Sequence, residues 1–215
     1  MTMSLSAHTA ILKDGPRRTL GLNGFPGLCF RAAARGGGPY AASTSNAQTS
    51  ARGVAPQFQP KWLKLGGERG RMGRPTSEVT RTRDGGAVQH FEHGGMYWSA
   101  ATGVQEVSGE IFSKYAGIGE ERSVLGYPTS DTSIPQDKVG RYSHFQRGMI
   151  WWNPSGGVHV VMGGILDQWK SMRYERSRLG YPTSDEVAAP DRRGRIQQFQ
   201  GGTIYWSPQT GARVQ

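Results

Sequence analysis

Leu125-Gly126-Tyr127-Pro128-Thr129-Ser130-Asp131 returns 54 positions later as Leu179-Gly180-Tyr181-Pro182-Thr183-Ser184-Asp185. A fainter copy, Met72-Gly73-Arg74-Pro75-Thr76-Ser77-Glu78, precedes both. The same 54-residue step relates Phe91, Phe145 and Phe199; Gly94, Gly148 and Gly202; Trp98, Trp152 and Trp206; and Gly103, Gly157 and Gly211. Self-similarity at a fixed period of this length marks tandem structural repeats. It divides the chain into a repeat domain over 57–215, with units at 57–109, 110–163 and 164–215.

Each unit predicts the same order of elements. Apolar residues spaced i, i+4, i+7 (Phe58/Trp62/Leu65, Ile111/Tyr115/Ile118 and Ile165/Trp169/Met172) predict a short amphipathic helix. The Leu-Gly-Tyr-Pro-Thr-Ser-Asp segment follows as a rigid turn. Its proline fixes φ, its glycine permits a positive φ, and its Ser and Asp side chains bond nearby backbone. A β-hairpin comes next, in repeat 3 from Arg195 to Trp206, and a turn then leads into a last short strand. The fold class is therefore α+β: three tandem repeats, each a short helix, a Leu-Gly-Tyr-Pro turn and a β-hairpin. A unit of 54 residues is too small to bury its own apolar surface well, so neighbours must pack together.

Strand alternation sorts the hairpin aromatics. Met96, Ile150 and Ile204 mark the core face and carry Trp98, Trp152 and Trp206 with them. Tyr97, Trp151 and Tyr205 then fall on the outer face. Two roles are open to them: stacking on the apolar face of a sugar, or sealing the interface between repeats. In the first role, Arg141 and Arg195 on the adjacent strand supply guanidinium groups for hydroxyls or carboxylates. Tyr127 and Tyr181 carry the same ambiguity inside the turn. These seven residues are the candidate ligand-binding set.

Composition narrows the remaining functions. The chain carries 26 Lys+Arg against 16 Asp+Glu, a net charge of +10. Half of that excess lies in residues 1–56, where Lys13, Arg17, Arg18, Arg31, Arg35 and Arg52 face one acid, Asp14. This stretch has no helical or strand period, and it reads as a disordered basic leader. Arg17-Arg18-Thr19-Leu20, the weakly apolar run 20–30 and Ala32-Ala33-Ala34 fit a twin-arginine export signal, although Asn23, Pro26 and Arg31 interrupt the run. An export signal and a plain tail both stay open. The repeats interleave Arg with Glu and Asp, so nucleic acid is not an expected partner. One cysteine, Cys29, excludes an internal disulfide framework, and no apolar run is long enough to span a membrane.

The sequence carries no phosphate-binding loop, no zinc-protease helix and no nucleophile elbow, so no enzyme is expected. His90-Phe91-Glu92-His93 has the look of a metal cluster, but its counterparts in the other repeats include Arg147, Gly201 and Gln198, so a structural role is expected and no metal or cofactor. Glu78, Asp131 and Asp185 occupy one position in three copies. Triplicate acids in a turn are expected to bond their own backbone instead of converging on one substrate bond.

These motifs resemble the LGFP repeat family of actinobacterial cell-envelope proteins. The carrying residues are Leu125-Gly126-Tyr127-Pro128, Leu179-Gly180-Tyr181-Pro182, the Gly140-Arg141 and Gly194-Arg195 pairs, and Phe199 with Gly202-Thr203-Ile204-Tyr205-Trp206. The resemblance implies secreted, non-catalytic modules packed as a compact, roughly circular array. It further implies attachment to wall polysaccharide, arabinogalactan or peptidoglycan, often beside an envelope enzyme. A structural or protein-interaction scaffold of the envelope is the alternative. Repeat 1 departs from the pattern at Met72, Arg74 and Ala87.

Overall fold

An apolar stripe opens each repeat, and three helices form where it predicts them. The computed structural model describes residues 53–215; the expectations for residues 1–52 lie outside the described residues. The helices are α1 (Gln59–Lys64), α2 (Gly109–Gly117) and α3 (Gly163–Ser171), each running into one turn of 3-10 helix. Pro60 sits in the first turn of α1, where the N–H it lacks would have no partner. The predicted stripes face inward: Phe58, Ile111, Tyr115, Ile165 and Trp169 are buried.

Each hairpin, with its short third strand, forms an antiparallel meander. Repeat 1 holds β1 (Thr80–Arg81), β2 (Ala87–Phe91), β3 (Gly94–Ser99) and β4 (Gly103–Ser108). Repeat 2 holds β5 (Arg141–Phe145), β6 (Gly148–Asn153) and β7 (Gly157–Met162). Repeat 3 holds β8 (Val187–Ala188), β9 (Arg195–Phe199), β10 (Gly202–Ser207) and β11 (Gly211–Val214). The class is mixed α+β, with more strand than helix.

The repeated turn is pinned from two sides. A ring on each helix donates to the carbonyl of the turn's glycine: Trp62 Nε1 to Gly73, Tyr115 Oη to Gly126 and Trp169 Nε1 to Gly180, at 2.9, 2.7 and 3.1 Å. On the other side the turn pairs with the first hairpin strand. Tyr127 and Tyr181 carbonyls accept from Gln146 and Gln200 N–H, and those glutamines' Oε1 atoms accept from the tyrosine N–H groups. Gly126 and Gly180 hold φ of +68° and +63°, and a Cβ there would strike Oε1 of that same glutamine at 2.3 and 2.4 Å. Glycine is thus required both for its backbone angle and for the close approach. In repeat 1, Glu92 takes the glutamine's place and accepts from Arg74 N–H.

Neighbouring repeats share their helices. One core cluster joins Val88, Tyr97 and Val107 of the first sheet, Ile111 and Tyr115 of α2, and Phe145 and Ile150 of the second sheet. Another joins Trp151 and Val161 of the second sheet, Ile165 and Trp169 of α3, and Phe199 and Ile204 of the third. Helices α2 and α3 are each buried between the sheet before them and their own. Trp98, Trp152 and Trp206 pack against the core from partly buried positions, as the alternation predicts for that face.

Both ends of the series depart from this pattern. At the front, residues 53–55 stand in for the third strand of a preceding repeat. Gln197 Nε2 in repeat 3 donates to the Val160 carbonyl of β7, and its counterpart Gln89 donates to Gly53 O and accepts from Ala55 N–H. Residues 53–56, assigned by composition to the leader, therefore include part of the first repeat's packing. At the back, Tyr205 is covered by groups of its own repeat among the described residues. Its hydroxyl bonds Asp191 of its own repeat at 3.0 Å, and the Arg213 guanidinium lies 4.8 Å above its ring.

The acids of the repeated turn reach farther than expected. Asp131 and Asp185 bond the preceding repeat instead of their own backbone: Oδ1 accepts from Glu106 N–H of β4 at 3.0 Å and from Val160 N–H of β7 at 2.9 Å. Lys61 of α1 and Lys114 of α2 complete the two clamps. Burial pushes the Asp185 carboxyl up, but His159, Lys114 and Val160 N–H outweigh it and hold the group well below the usual range. A carboxyl so lowered stabilises the fold above its unfolded value near 3.9, and that contribution is lost as pH falls through the folded value. Asp185→Asn is expected to cost about 1 kcal/mol at pH 7 after allowing for its partial exposure, a fall of roughly 2–4 °C in Tm. Melting curves should show the gap to wild type closing between about pH 4 and pH 2.

Candidate functional site

The predicted outer-face aromatics are not presented to solvent. Tyr97 and Trp151 are 0% and 2% exposed, closed over by the next repeat's helix and turn. Tyr97 Oη donates to Glu120 at 2.9 Å, and Trp151 meets Trp169 edge-on at 5.0 Å. Of the two roles open to them, sealing the interface is the one they fill. Burying a ring of this size stabilises by about 1.5–3 kcal/mol, which a face left open for a sugar would forgo. Tyr205 holds the corresponding place at the chain's end and is covered by its own Arg213 and Asp191.

Tyr127 and Tyr181 are corrected in the same way. Tyr127 Oη bonds Thr82 and Asp84 of repeat 1, both at 2.7 Å, and Tyr181 Oη donates to Asp137 of repeat 2 at 2.6 Å. Burial pushes the Tyr127 phenol up to about 12, and burial with the Asp137 bond pushes Tyr181 up as well, so both stay protonated donors. A Cβ on Gly86 would meet the Tyr127 hydroxyl at 2.3 Å, and one on Gly140 would meet the Tyr181 ring at 2.7 Å. The glycine before each hairpin is there to admit the next repeat's tyrosine. The two guanidiniums are also engaged: Arg195 pairs with Glu186 at 2.7 Å, and Arg141 donates to Gly140 O at 2.6 Å.

Other candidates resolve into structural contacts. His90 Nε2 meets Glu120 at 3.0 Å across the first junction, and that bond raises the imidazole's pKa. Glu92 is occupied by Arg74 N–H, as described above. Among the described residues no three His, Cys, Asp or Glu side chains converge on a common point. Glu106 is fully buried and joined to Arg71, which also stands 4.0 Å from Asp131. Burial pushes the Glu106 carboxyl up, against the pull of Arg71. Two carboxylates of unlike character thus lie close together, but an arginine bridges them and one has no access to solvent, so they form a packing device and not an acid–base pair.

Two grooves, among several surface cavities, occupy corresponding places at the two junctions. The first, of about 730 Å³, is lined by Val88 and His90 of β2, by Arg81, Arg83 and Asp84 before that strand, and by the Glu120-Glu121-Arg122 turn. The second, of about 440 Å³, is lined by Tyr142 and His144 of β5, by Pro135 and Gln136, and by Lys170, Arg173 and the Tyr174-Glu175-Arg176 turn. Val88 corresponds to Tyr142, His90 to His144, and the two Glu-Arg pairs to each other.

Their chemistry differs. Acids and arginines balance in the first groove, where Glu120 is held by His90 and Tyr97. In the second, Tyr142 stacks on Trp151 at 4.7 Å and 21°, and Tyr174 stands 5.7 Å from the same indole. Burial, with Lys170 nearby, lowers the His144 imidazole. Of the candidate set only Trp151 borders this groove. The signal for Tyr142 and Tyr174 was present in sequence as aromatics breaking the repeat, at positions held by Val88 in repeat 1 and Glu120 in repeat 2.

A repeated helix–turn–meander unit that buries its helices between successive sheets, with a groove at each junction, defines a tandem-repeat module. The LGFP repeat model matches residues 72–123, 125–177 and 179–214, and the chain belongs to that family. No curated protein matches the chain significantly. Each match starts at the repeated turn, which puts a turn, its sheet and the following helix in one unit, the reverse phasing of the helix-first division. No helix among the described residues is long and apolar enough to cross a membrane.

The Glu106 position generates a stability prediction, because repeats 2 and 3 carry Val160 and Val214 there. Glu106→Val is expected to stabilise the protein by about 1 kcal/mol at pH 7, leaving Arg71 to water and Asp131. A carboxyl raised by folding destabilises the native state as pH climbs above its unfolded value. Calorimetry should therefore show the gain growing as pH rises above about 4 and vanishing at pH 3.

Proposed function

We propose that this chain is a non-catalytic module that attaches to polysaccharide of the cell envelope, arabinogalactan or peptidoglycan, outside the membrane. The observation that carries the proposal is the recurrence of one groove at consecutive junctions. A periodic polymer is the ligand a periodic set of sites suits, since linked weak sites raise avidity by roughly 10²–10⁴ without any single deep pocket. Membership of a repeat family supports the module reading, and the resemblance to envelope proteins supports the location.

The second groove is the better sugar site. Tyr142 and Tyr174 are part-buried and flank the Trp151 edge, which gives apolar platforms for a pyranose or furanose face beside polar groups for its hydroxyls. Its one carboxylate, Glu175, has no partner acid in the lining, so paired acid–base hydrolysis is not built there. An envelope enzyme attached elsewhere would supply chemistry while the repeats supply the hold.

Co-sedimentation of the full chain with purified envelope polysaccharide tests this reading. Tyr174→Leu preserves apolar contact with Trp169 but removes the half-buried ring, and is expected to weaken binding at least tenfold with Tm within a few degrees of wild type. Tyr205→Phe, at the chain's capped end, is expected to leave binding unchanged. A wild-type protein that ignores polysaccharide but captures an envelope enzyme stoichiometrically would favour the scaffold reading instead.

A further inference from the structure

We propose that the groove between repeats 2 and 3 selects a sugar unit bearing an anionic substituent, a carboxylate or a phosphate, through Lys170 and Arg173. This deepens the polysaccharide reading and rests on it. The lining holds three cations, Lys170, Arg173 and Arg176, against one acid, Glu175. Arg176 is engaged across the groove by Gln136 Oε1. Lys170 and Arg173 are exposed and, among the described residues, have no side-chain partner. Two unpaired cations beside aromatic platforms recognise a ring with a negative group on its rim better than a neutral ring.

The backbone under Arg173 provides a second, independent observation. Residue 173 holds φ of +74°, and the corresponding residues are Gly66 at +100° and Gly119 at +103°. Repeats 1 and 2 meet this left-handed position with glycine, which adopts it freely. Repeat 3 accepts a side chain there, at a cost of about 1–2 kcal/mol. Strain held at a groove is accounted for when the side chain it positions makes a contact worth more than the strain. The guanidinium is the group so positioned, and Gly119 offers no side chain at the equivalent position of the first junction.

Lys170 shows the same asymmetry. Its counterparts are Leu63 in α1 and Ala116 in α2, so neither earlier helix places a charge at this point. Lys170 in the last turn of α3 and Arg173, two residues past the helix's end, thus bring two free cations to one groove. Sequence similarity runs highest between repeats 2 and 3, and these differences stand out against it.

Binding of the full chain to three preparations of one envelope polysaccharide separates the outcomes: untreated, carboxyl-reduced and dephosphorylated. Wild type is expected to lose at least tenfold in affinity on one of the two treatments, which identifies the substituent as carboxylate or phosphate. Its affinity for untreated material should also fall with added salt. Arg173→Gly restores the glycine of the other repeats and is expected to melt no lower than wild type. Combined with Lys170→Ala, it should bind all three preparations equally, at the affinity wild type shows for the treated one. Unchanged wild-type affinity after both treatments would overturn the anion inference and leave the polysaccharide reading intact. A treatment effect that the double variant retains would overturn the assignment to these two residues. Failure of wild type to bind untreated polysaccharide would overturn both readings.

Discussion

The hydrogen bond from a helix ring to the carbonyl of a turn glycine organises every repeat. Trp62, Tyr115 and Trp169 each donate to the same carbonyl of their own turn. The glycine's positive φ lets that carbonyl point back at the helix, and a side chain there would collide with Gln146 or Gln200. With the turn held from both sides, its tyrosine and its aspartate have one direction left, outward into the preceding repeat. Tyr127 and Tyr181 reach the loop before the preceding hairpin, and Asp131 and Asp185 reach the preceding third strand. A bond internal to one repeat thereby sets the geometry between two.

That arrangement answers the size problem of a short unit. A single helix on a three-stranded sheet leaves one sheet face and one helix side uncovered. Placing α2 and α3 each between two sheets buries both at once, which is why Tyr97 and Trp151 are as enclosed as any residue in the cores. The same positions are covered in the first and third repeats. Residues 53–55 bond Gln89 as Val160 bonds Gln197, and Tyr205 turns to Asp191 and Arg213 of its own repeat. The grooves are what remains where packing between repeats is incomplete, on the side where the 3-10 turn stands off from the hairpin.

Much of this was legible from spacing alone. The helical stripes, the turn and the hairpin all fall where the pattern puts them, because each depends on contacts within a few residues. The two faces of the hairpin were also sorted correctly, with Met96, Ile150 and Ile204 toward the repeat's own core. The error lay in what covers the other face. Alternation shows that Trp151 opposes Ile150 and carries no information about whether water or another helix lies beyond it. A signal did exist for the tyrosines: Asp84, Asp137 and Asp191 recur with the repeat, as partners for Tyr127, Tyr181 and, at the end, Tyr205.

The sequence by itself determined the repeat count, the order of elements and the identity of the rigid turn, since period, proline, glycine and apolar spacing act locally. Only the tertiary structure decided that the aromatics seal the junctions, that the turn's aspartates bind the preceding repeat, and that the open surface lies at Tyr142, Lys170, Arg173 and Tyr174. The reason is distance along the chain. Asp185 meets Lys114 across 71 residues and Arg176 meets Gln136 across 40, separations over which no local preference specifies contact. A groove, moreover, is space left over when two repeats have finished packing, and no residue type encodes it in isolation.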